Sequence, residues 1–178
     1  MPGDAKRSVI VVGSTGVLRP AATTLEQRGD AVIGVSRHGE SGSIGVDARD
    51  PLALRTALDG RAWDDAVIYD RAVSPSSLAF LRAATPGRCV LVRASAAADP
   101  RHGILVVPRD TLQLGWRPSG DGAGPIVSVR PGAEGLDRGD GAASRWHSPE
   151  EISVAALAVL ADGTPRTLGA VRPWSDRP

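Results

Sequence analysis

The stretch that decides the fold is residues 8–39, SVIVVGSTGVLRPAATTLEQRGDAVIGVSRHG. Residues 9–12 form a continuous β-branched run, which is typical of a parallel strand buried on both faces. This run leads directly into a glycine turn at residues 13–16, followed by a predicted helix over residues 17–28. With a second strand over residues 31–35, the stretch has the order and spacing of a strand-helix-strand unit with parallel strands.

The glycine turn predicts a phosphate-binding site. Glycine lets the backbone approach a phosphate closely, and the start of the next helix offers unpaired N–H groups and the positive end of the helix dipole. The third glycine of the dinucleotide fingerprint is missing, since Arg19 and Pro20 occupy its region. A tight turn that binds nothing is therefore the alternative. The residues predicted to bind the cofactor phosphates are Gly13, Ser14, Thr15, Gly16, Val17 and Leu18.

The end of the second strand predicts which dinucleotide is bound. An acidic residue there favours NAD, whereas Ser36, Arg37 and His38 can neutralise the 2′-phosphate of NADP. Asp47, where a third strand ends, is placed to accept a hydrogen bond from the adenine amino group, although Asp47 and Asp50 also suit local turn and helix-cap roles. We expect NADP(H) as the cofactor and NAD as the less favoured choice. A solvated charge at the strand end is the alternative role for Arg37.

Composition and charge narrow the class of protein. A chain of 178 residues with 42% hydrophobic content suits a single domain over residues 1–178. A net charge of +1 argues against nucleic acid as a partner. No apolar run approaches the roughly 20 residues that span a bilayer, and the N-terminus lacks a signal-peptide pattern, so we expect a cytoplasmic protein without a membrane partner. Trp116, Trp146 and Trp174 are candidates either for a homodimer surface or for the core. No metal site is predicted, because the three histidines and one cysteine lack ligand spacing.

The rest of the chain continues the alternation of strands and helices. A capping box of Ser148 and Glu151 begins the last helix, whose apolar residues recur at helical spacing. Irregular substrate-side loops are expected over about residues 96–125 and 132–147. The sequence thus predicts an α/β fold: one doubly wound Rossmann-like domain with a mainly parallel sheet of six to seven strands flanked by helices. Further strands are predicted over residues 66–69, 89–93, 104–107, 111–116, 126–129 and 167–171, and further helices over residues 52–58 and 76–84.

Residues directly after strands are the candidates for catalysis, because ligands of open α/β sheets lie at the carboxyl ends of the strands. This criterion selects Tyr69, Asp70 and Arg71 after the fourth strand and Ser95 after the fifth. Asp70, beside an apolar strand end, is expected to have a raised pKa and to act as general acid or base, and Tyr69 to donate to a substrate carbonyl. A salt bridge of Asp70 with Arg71 and simple packing of Tyr69 are the alternatives. His147, next to the last helix cap, is expected to be structural.

Several segments resemble the short, atypical members of the short-chain dehydrogenase/reductase superfamily: VVGSTGVLRP (11–20), VD (46–47), LQLG (112–115), SRW (144–146), PEEIS (149–153) and LGAVRPW (168–174). The resemblance implies an NAD(P)-binding Rossmann domain with a shortened substrate region, and it matches Ser95 approximately to the family's catalytic serine. The family's catalytic Tyr and Lys, four residues apart on one helix, have no counterpart here. Tyr69 is the only tyrosine, and Lys6, ahead of the first strand, is the only lysine.

Two classes of function follow. The first is an NADPH-dependent reductase of a small molecule, in specialised bacterial metabolism, in which the cofactor supplies hydride and Asp70, Ser95 or water supplies the proton. The second is a non-redox protein on the same scaffold. It would be a lyase, isomerase or cyclase that uses Asp70 and Tyr69 as acid and base, or a nucleotide-sensing protein. The missing Tyr/Lys pair supports the second class, and the reductase stays slightly favoured.

Overall fold

The computed structural model describes residues 6–98, 106–118 and 144–178, and within them a parallel seven-stranded sheet forms the centre of the molecule. Its strands are β1 (Ser8–Val12), β2 (Ala31–Ser36), β3 (Ile44–Gly45), β4 (Asp65–Tyr69), β5 (Cys89–Arg93), β6 (Thr111–Leu114) and β9 (Arg166–Leu168). Two short strands, β7 (Trp116–Arg117) and β8 (Arg145–Trp146), form a separate antiparallel pair. The order in the main sheet is β3-β2-β1-β4-β5-β6-β9. The order therefore reverses between β1 and β4, where doubly wound sheets bind their ligands.

Helices cover both faces of the sheet, because alternate residues of the central strands point to opposite sides. They are α1 (Arg19–Gln27), α2 (Pro51–Ala57), α3 (Pro75–Ala84) and α4 (Pro149–Asp162). Val9 and Val11 pack in one cluster with residues of α1 and α4. Ile10 and Val12 pack in the other with residues of α2 and α3. The predicted α/β class, doubly wound with a mainly parallel sheet, is confirmed.

Local capping signals set the helix starts as the sequence predicts. Asp50 caps α2 and accepts hydrogen bonds from the N–H groups of the second and third residues after it. Ser74 caps α3, and its hydroxyl accepts the Ser77 N–H. At α4 the capping box of Ser148 and Glu151 is formed in both directions. The apolar residues predicted to face the sheet from α4 are all buried: Ile152, Ala155, Ala156, Val159 and Leu160.

Two predicted element boundaries are wrong at glycine-rich turns. Helix α1 begins at Arg19 instead of residue 17, because the chain stays in turns in which Gly16 N–H donates to the Gly13 carbonyl and Arg19 N–H to the Gly16 carbonyl. Strand β9 ends at Leu168 instead of residue 171. There Gly169 adopts a φ of 76°, a left-handed conformation that does not continue a strand.

The predicted strand over residues 111–116 is divided between the two sheets. Gly115 lies against the backbone of Ala170, where a Cβ would overlap the Ala170 carbonyl. The chain leaves the main sheet here, and Trp116 N–H donates to the carbonyl of Ala170 at 2.8 Å. The loop expected over 96–125 therefore contains β6 and β7, and the loop expected over 132–147 ends in β8.

The two remaining predicted strands differ in outcome. Of the strand predicted over residues 104–107, the structure describes Val106 and Val107; both are irregular, and Val106 is 76% exposed, so these two residues are not part of a buried strand. Residues 104–105 and the whole predicted strand over 126–129 lie outside the described residues.

Candidate functional site

The glycine turn lies where β1 ends, at the reversal of strand order. Gly13 has a φ of 97°, and a Cβ built on it would lie 3.4 Å from the Cβ of Tyr69 at the end of β4. Gly16 is exposed, and a Cβ there would meet only the Gly13 carbonyl, at 3.9 Å. The turn thus contacts β4 on one side and leaves its outer side open to a ligand.

Only part of the predicted amide cradle has free donors. The N–H groups of Gly13 and Ser14 donate to the Val35 carbonyl at 2.9 and 3.3 Å, and Gly16 N–H donates within the turn. Among the described residues, the N–H groups of Thr15, Val17 and Leu18 have no acceptor. Three amides just ahead of α1 are therefore available to an anion.

Two of the predicted phosphate contacts can act only through their backbone. The side chain of Leu18 is fully buried in the core between α1 and α4. The Ser14 side chain is also buried, and its hydroxyl lies 3.4 Å from the Val35 carbonyl, to which it donates. Thr15 keeps a half-buried side chain at the turn.

Of the cofactor contacts predicted at and near the end of β2, two side chains are already hydrogen-bonded within the chain and two are not. The Ser36 hydroxyl lies 2.7 Å from that of Ser43 and accepts the Gly39 N–H at 3.1 Å, so it is already paired. Asp47 accepts the N–H of Arg49 at 3.1 Å, which is the local turn role left open by the sequence. Arg37 and His38 are exposed, and neither side chain forms a hydrogen bond or ion pair with the described residues.

A pocket of about 280 Å³ opens at the carboxyl ends of β4, β5 and β6. It contains two of the three predicted catalytic residues, Tyr69 and Ser95. Because Gly13 lies beside Tyr69, with space between them for little more than a methyl group, the pocket adjoins the glycine turn. The lining residues are Tyr69, Arg71, Ala94, Ser95, Leu114, Gly115, Trp146, His147 and Ile152.

The third predicted catalytic residue, Asp70, does not line this pocket. Its Oδ2 accepts the Ala94 N–H at 3.0 Å, and its Oδ1 is buried with no hydrogen-bond partner in the described part of the chain. Burial raises the pKa of Asp70, as the sequence predicts, against the smaller opposing effect of backbone hydrogen bonds from Ala94 and Arg71. The carboxylate ties the end of β4 to the end of β5 and so holds Ser95, next to Ala94, in place.

The Tyr69 phenol is half-buried at the pocket wall. Burial raises the pKa of Tyr69, the charge of Asp70 raises it further, and Arg71 lowers it. The phenol therefore keeps its proton at neutral pH. In this environment Tyr69 is a hydrogen-bond donor and does not act as a base.

His147 and Trp146 also line the pocket, although the sequence predicted neither as a site residue. The His147 side chain is only 7% exposed, and its Nδ1 lies 3.3 Å from Glu151. Its Nε2 is buried beside Gly169 and has no hydrogen-bond partner among the residues that the structure describes. Burial lowers the pKa of His147 despite the opposing charge of Glu151, so the ring is neutral at pH 7. The structural role expected for His147 is present, but the ring also lines the pocket. The signal for both residues is their position just ahead of the capping box.

The tryptophans form one aromatic cluster. Trp116 is fully buried, with the ring of Trp146 edge-on to it at 6.4 Å and Trp174 at 6.0 Å. Trp116 thus takes the core role that the sequence left open. Trp146 is 47% exposed at the pocket.

Glu151 anchors the segment that carries Trp146 and His147. It accepts two hydrogen bonds from Arg145 at 2.9 and 2.8 Å and one from the Ser148 N–H at 2.8 Å, and Arg117 lies 3.6 Å away. The hydrogen bonds from Arg145 are the main reason that the pKa of Glu151 falls to about 2. The start of α4 is thereby tied to β7 and β8.

Comparisons with known proteins identify no family. No protein-family model matches the chain, and no curated protein matches it. Among solved structures, the chain is similar to a "putative exported protein" from Burkholderia pseudomallei, with 15% identity, a TM-score of 0.47, and coverage of 92% of this chain and 100% of that one. A likeness of this size carries no functional argument. No helix in the described part of the chain is long and apolar enough to cross a membrane.

Proposed function

We propose that the chain binds NADP(H) along the carboxyl edge of the sheet and reduces a small carbonyl or imine compound in the adjoining pocket. The observation that carries this proposal is the position of Gly13 beside Tyr69, where a Cβ added to Gly13 would lie 3.4 Å from the Tyr69 Cβ, because it places a dinucleotide-type turn next to a pocket with hydroxyl donors. The turn lies at the strand-order reversal, where Rossmann-type sheets bind nucleotides.

The residues present fit the two charged parts of the cofactor. The free amides of Thr15, Val17 and Leu18 suit the pyrophosphate, which approaches past the open side of the glycine turn. Arg37 and His38 suit the 2′-phosphate, since both are exposed and free of partners in the described chain. NADP(H) is favoured over NAD(H) because an unpaired guanidinium stands where an NAD site has a carboxylate.

The pocket residues orient the substrate. When bound, the reduced nicotinamide supplies a hydride to the substrate carbon. The protonated Tyr69 phenol and the Ser95 hydroxyl donate hydrogen bonds to the substrate oxygen, and Asp70 positions the Ser95 segment through Ala94. For a carbonyl substrate the product would be an alcohol: the carbon would take the hydride, and the oxygen, held by Tyr69 and Ser95, would take a proton from water in the open pocket.

A titration of the chain with NADPH and NADH tests the proposal, with tryptophan quenching and nicotinamide fluorescence as readouts. Arg37→Glu should weaken NADPH binding by about tenfold or more, because it replaces a phosphate partner by a like charge. NADH binding should change little. Arg28→Glu, an exposed arginine at the far end of α1, is the matched control and should leave both affinities unchanged.

The outcomes separate the parts of the proposal. Equal effects of Arg37→Glu on both cofactors would remove Arg37 from the site. Failure of wild-type protein to bind either cofactor at millimolar concentration would overturn the reductase assignment.

One observation favours a second candidate, a non-redox lyase, isomerase or cyclase. The pKa of Tyr69 is raised, and the chain has no lysine near Tyr69 to lower it, so the hydride-transfer machinery of the resembling family is incomplete. The hydroxyl groups of Tyr69 and Ser95, donating hydrogen bonds to a substrate carbonyl oxygen, would equally serve an enolisation or an elimination, in which no hydride moves. Turnover of a substrate without any nicotinamide cofactor would favour this candidate.

A further inference from the structure

We propose that the pocket recognises a small aromatic carboxylate, with the ring against Trp146 and the carboxylate on Arg71. The inference deepens the proposed function and rests on it for the reducible group: in a reductase the substrate class is an aromatic 2-oxo acid. Recognition of the ring and the carboxylate is argued from the pocket itself.

The ring is recognised by the apolar part of the pocket. Trp146 is 47% exposed, although a large aromatic side chain is expected to bury most of its surface. The edge-on contact with Trp116, at an interplanar angle of 82°, holds its ring in one orientation. Leu114, Gly115 and Ile152 are buried around it. These residues offer a planar apolar surface to a planar ligand.

The size of the pocket limits the ligand to a small molecule. Drug-sized ligands occupy pockets of about 300–1,000 Å³. The volume here, about 280 Å³, lies just below that range. A single ring with one short polar substituent suits it better than a fused-ring or chain-like compound.

The charge of the ligand follows from Arg71. With His147 neutral, Arg71 is the single charged side chain among the pocket-lining residues of the described chain. Its guanidinium forms no hydrogen bond or ion pair there, whereas neighbouring Arg93 donates to the Ala97 carbonyl and Arg145 pairs with Glu151. A free guanidinium offers a carboxylate two parallel N–H donors. The pocket therefore selects an anion, and a planar one.

Polar donors from other elements fix the position of the reacting group. Tyr69 is the last residue of β4, and Ser95 lies just after the end of β5, whereas Trp146 belongs to β8. Benzoylformate has a carbonyl between its ring and its carboxylate. One such molecule can therefore place its ring against Trp146, its carboxylate on Arg71 and its carbonyl oxygen at the hydroxyl donors.

The test compares three probes on the full chain by calorimetry, with and without NADPH. The probes are benzoylformate, its neutral methyl ester, and pyruvate, which keeps the 2-oxo acid but lacks the ring. Benzoylformate should bind at least about tenfold more tightly than either, because each of the others lacks one recognised group.

Variants assign the two contacts. Arg71→Gln should weaken benzoylformate about tenfold and leave the ester unchanged, with Arg61→Gln, an exposed arginine of the α2–β4 loop, as the inert control. Trp146→Leu should weaken benzoylformate but not pyruvate, and Trp146→Phe should restore most of the affinity. An ester bound as tightly as the acid, an unchanged Arg71→Gln, or no binding of benzoylformate at millimolar concentration would each overturn the inference.

Failure of the inference differs from failure of the proposed function. Selective binding of benzoylformate through Arg71 without any NADPH binding would support the pocket and overturn the reductase. NADPH binding that depends on Arg37, together with no selectivity for the aromatic acid, would support the cofactor site and overturn the inference.

Discussion

Two halves of the molecule differ in how their polar groups are hydrogen-bonded. The glycine-turn half surrounds the ends of β1 to β3, and the pocket half surrounds the ends of β4 to β9. Around the ends of β1 to β3, three polar side chains are paired within the chain, Ser36 with Ser43, Asp47 with the turn after it, and Asp50 with the start of α2. Two side chains there that have no partner in the described part of the chain, Arg37 and His38, are exposed to solvent.

In the pocket half, several buried side-chain atoms have no hydrogen-bond partner among the described residues. They are Asp70 Oδ1, Gln113 Oε1, Trp116 Nε1, His147 Nε2, Thr167 Oγ1 and Trp174 Nε1. Asp110 Oδ1, just before the start of β6, lacks one as well but lies 3.1 Å from Arg88.

This difference indicates where the chain gives up stability. A buried polar group without a partner costs about 1–3 kcal/mol, and native structures retain few of them. These atoms are concentrated near the ends of β4, β6 and β9. Packing in the pocket half therefore leaves buried polar groups that a ligand could satisfy. The turn half is then the well-paired scaffold, and the pocket half is the sensitive one.

The largest expected effect on stability comes from adding a methyl group to a glycine beside the pocket, and the control adds one to a glycine in an exposed loop. Gly169, beside the pocket, and Gly60, in an exposed loop, share a left-handed backbone, with φ of 76° and 70°. A Cβ on Gly169 would overlap the Trp116 carbonyl and His147 Nε2, whereas a Cβ on Gly60 meets nothing within 4 Å. Gly169→Ala should lower the free energy of unfolding by about 3 kcal/mol, from strain plus overpacking, and Gly60→Ala by about 1 kcal/mol, from strain alone.

Urea unfolding of the two variants decides the matter. Equal losses in the free energy of unfolding would mean that the region around β7 to β9 accommodates an added methyl group without further strain. The two halves would then not differ in sensitivity. A loss confined to Gly169→Ala, together with weaker binding of pocket probes, would locate the sensitivity at the pocket.

The same contrast explains what the sequence could and could not predict. The unit over residues 8–39 and the caps at Asp50 and Ser148 depend on neighbours in sequence, and each local signal agrees with the final fold. The break at Gly115 depends on Ala170, which comes 55 residues later, so no local pattern marks it. The pocket has the same origin, since His147 and Trp146 reach it only through pairing of β8 with β7.

A second test removes a charge at the start of α4. Glu151→Gln weakens the contacts with Arg145 and the Ser148 N–H, and we expect a loss of about 1 kcal/mol at pH 7, because the carboxylate is about one-third exposed and solvent screens it. Glu150→Gln is the matched control one residue earlier. It should cost only about 0.3 kcal/mol, through the helix dipole.

The pH dependence of the Glu151→Gln effect has a defined sign. The pKa of Glu151 is about 2 in the folded chain and 4.5 ordinarily, so its stabilisation is complete above pH 4.5 and is lost as the pH falls through about 2. The difference between wild type and Glu151→Gln in urea unfolding should therefore shrink between pH 5 and pH 2. A difference that stays constant over this interval would show that the lost contacts do not depend on the carboxylate charge.

The smallest effect concerns His147, whose neutral ring is buried between Glu151 on α4 and the guanidinium groups of Arg117 and Arg145 on β7 and β8. Burial lowers the pKa of His147 below its ordinary 6.5, so the unfolded chain takes up a proton on this residue before the folded chain does. The stabilisation is complete above pH 6.5 and is lost as the pH falls through the folded pKa, by at most about 1.4 kcal/mol per pH unit. His147→Gln cannot titrate, so its unfolding free energy should approach that of wild type on acidification. A difference between wild type and His147→Gln that stays constant on acidification would show that burial does not lower the pKa of His147.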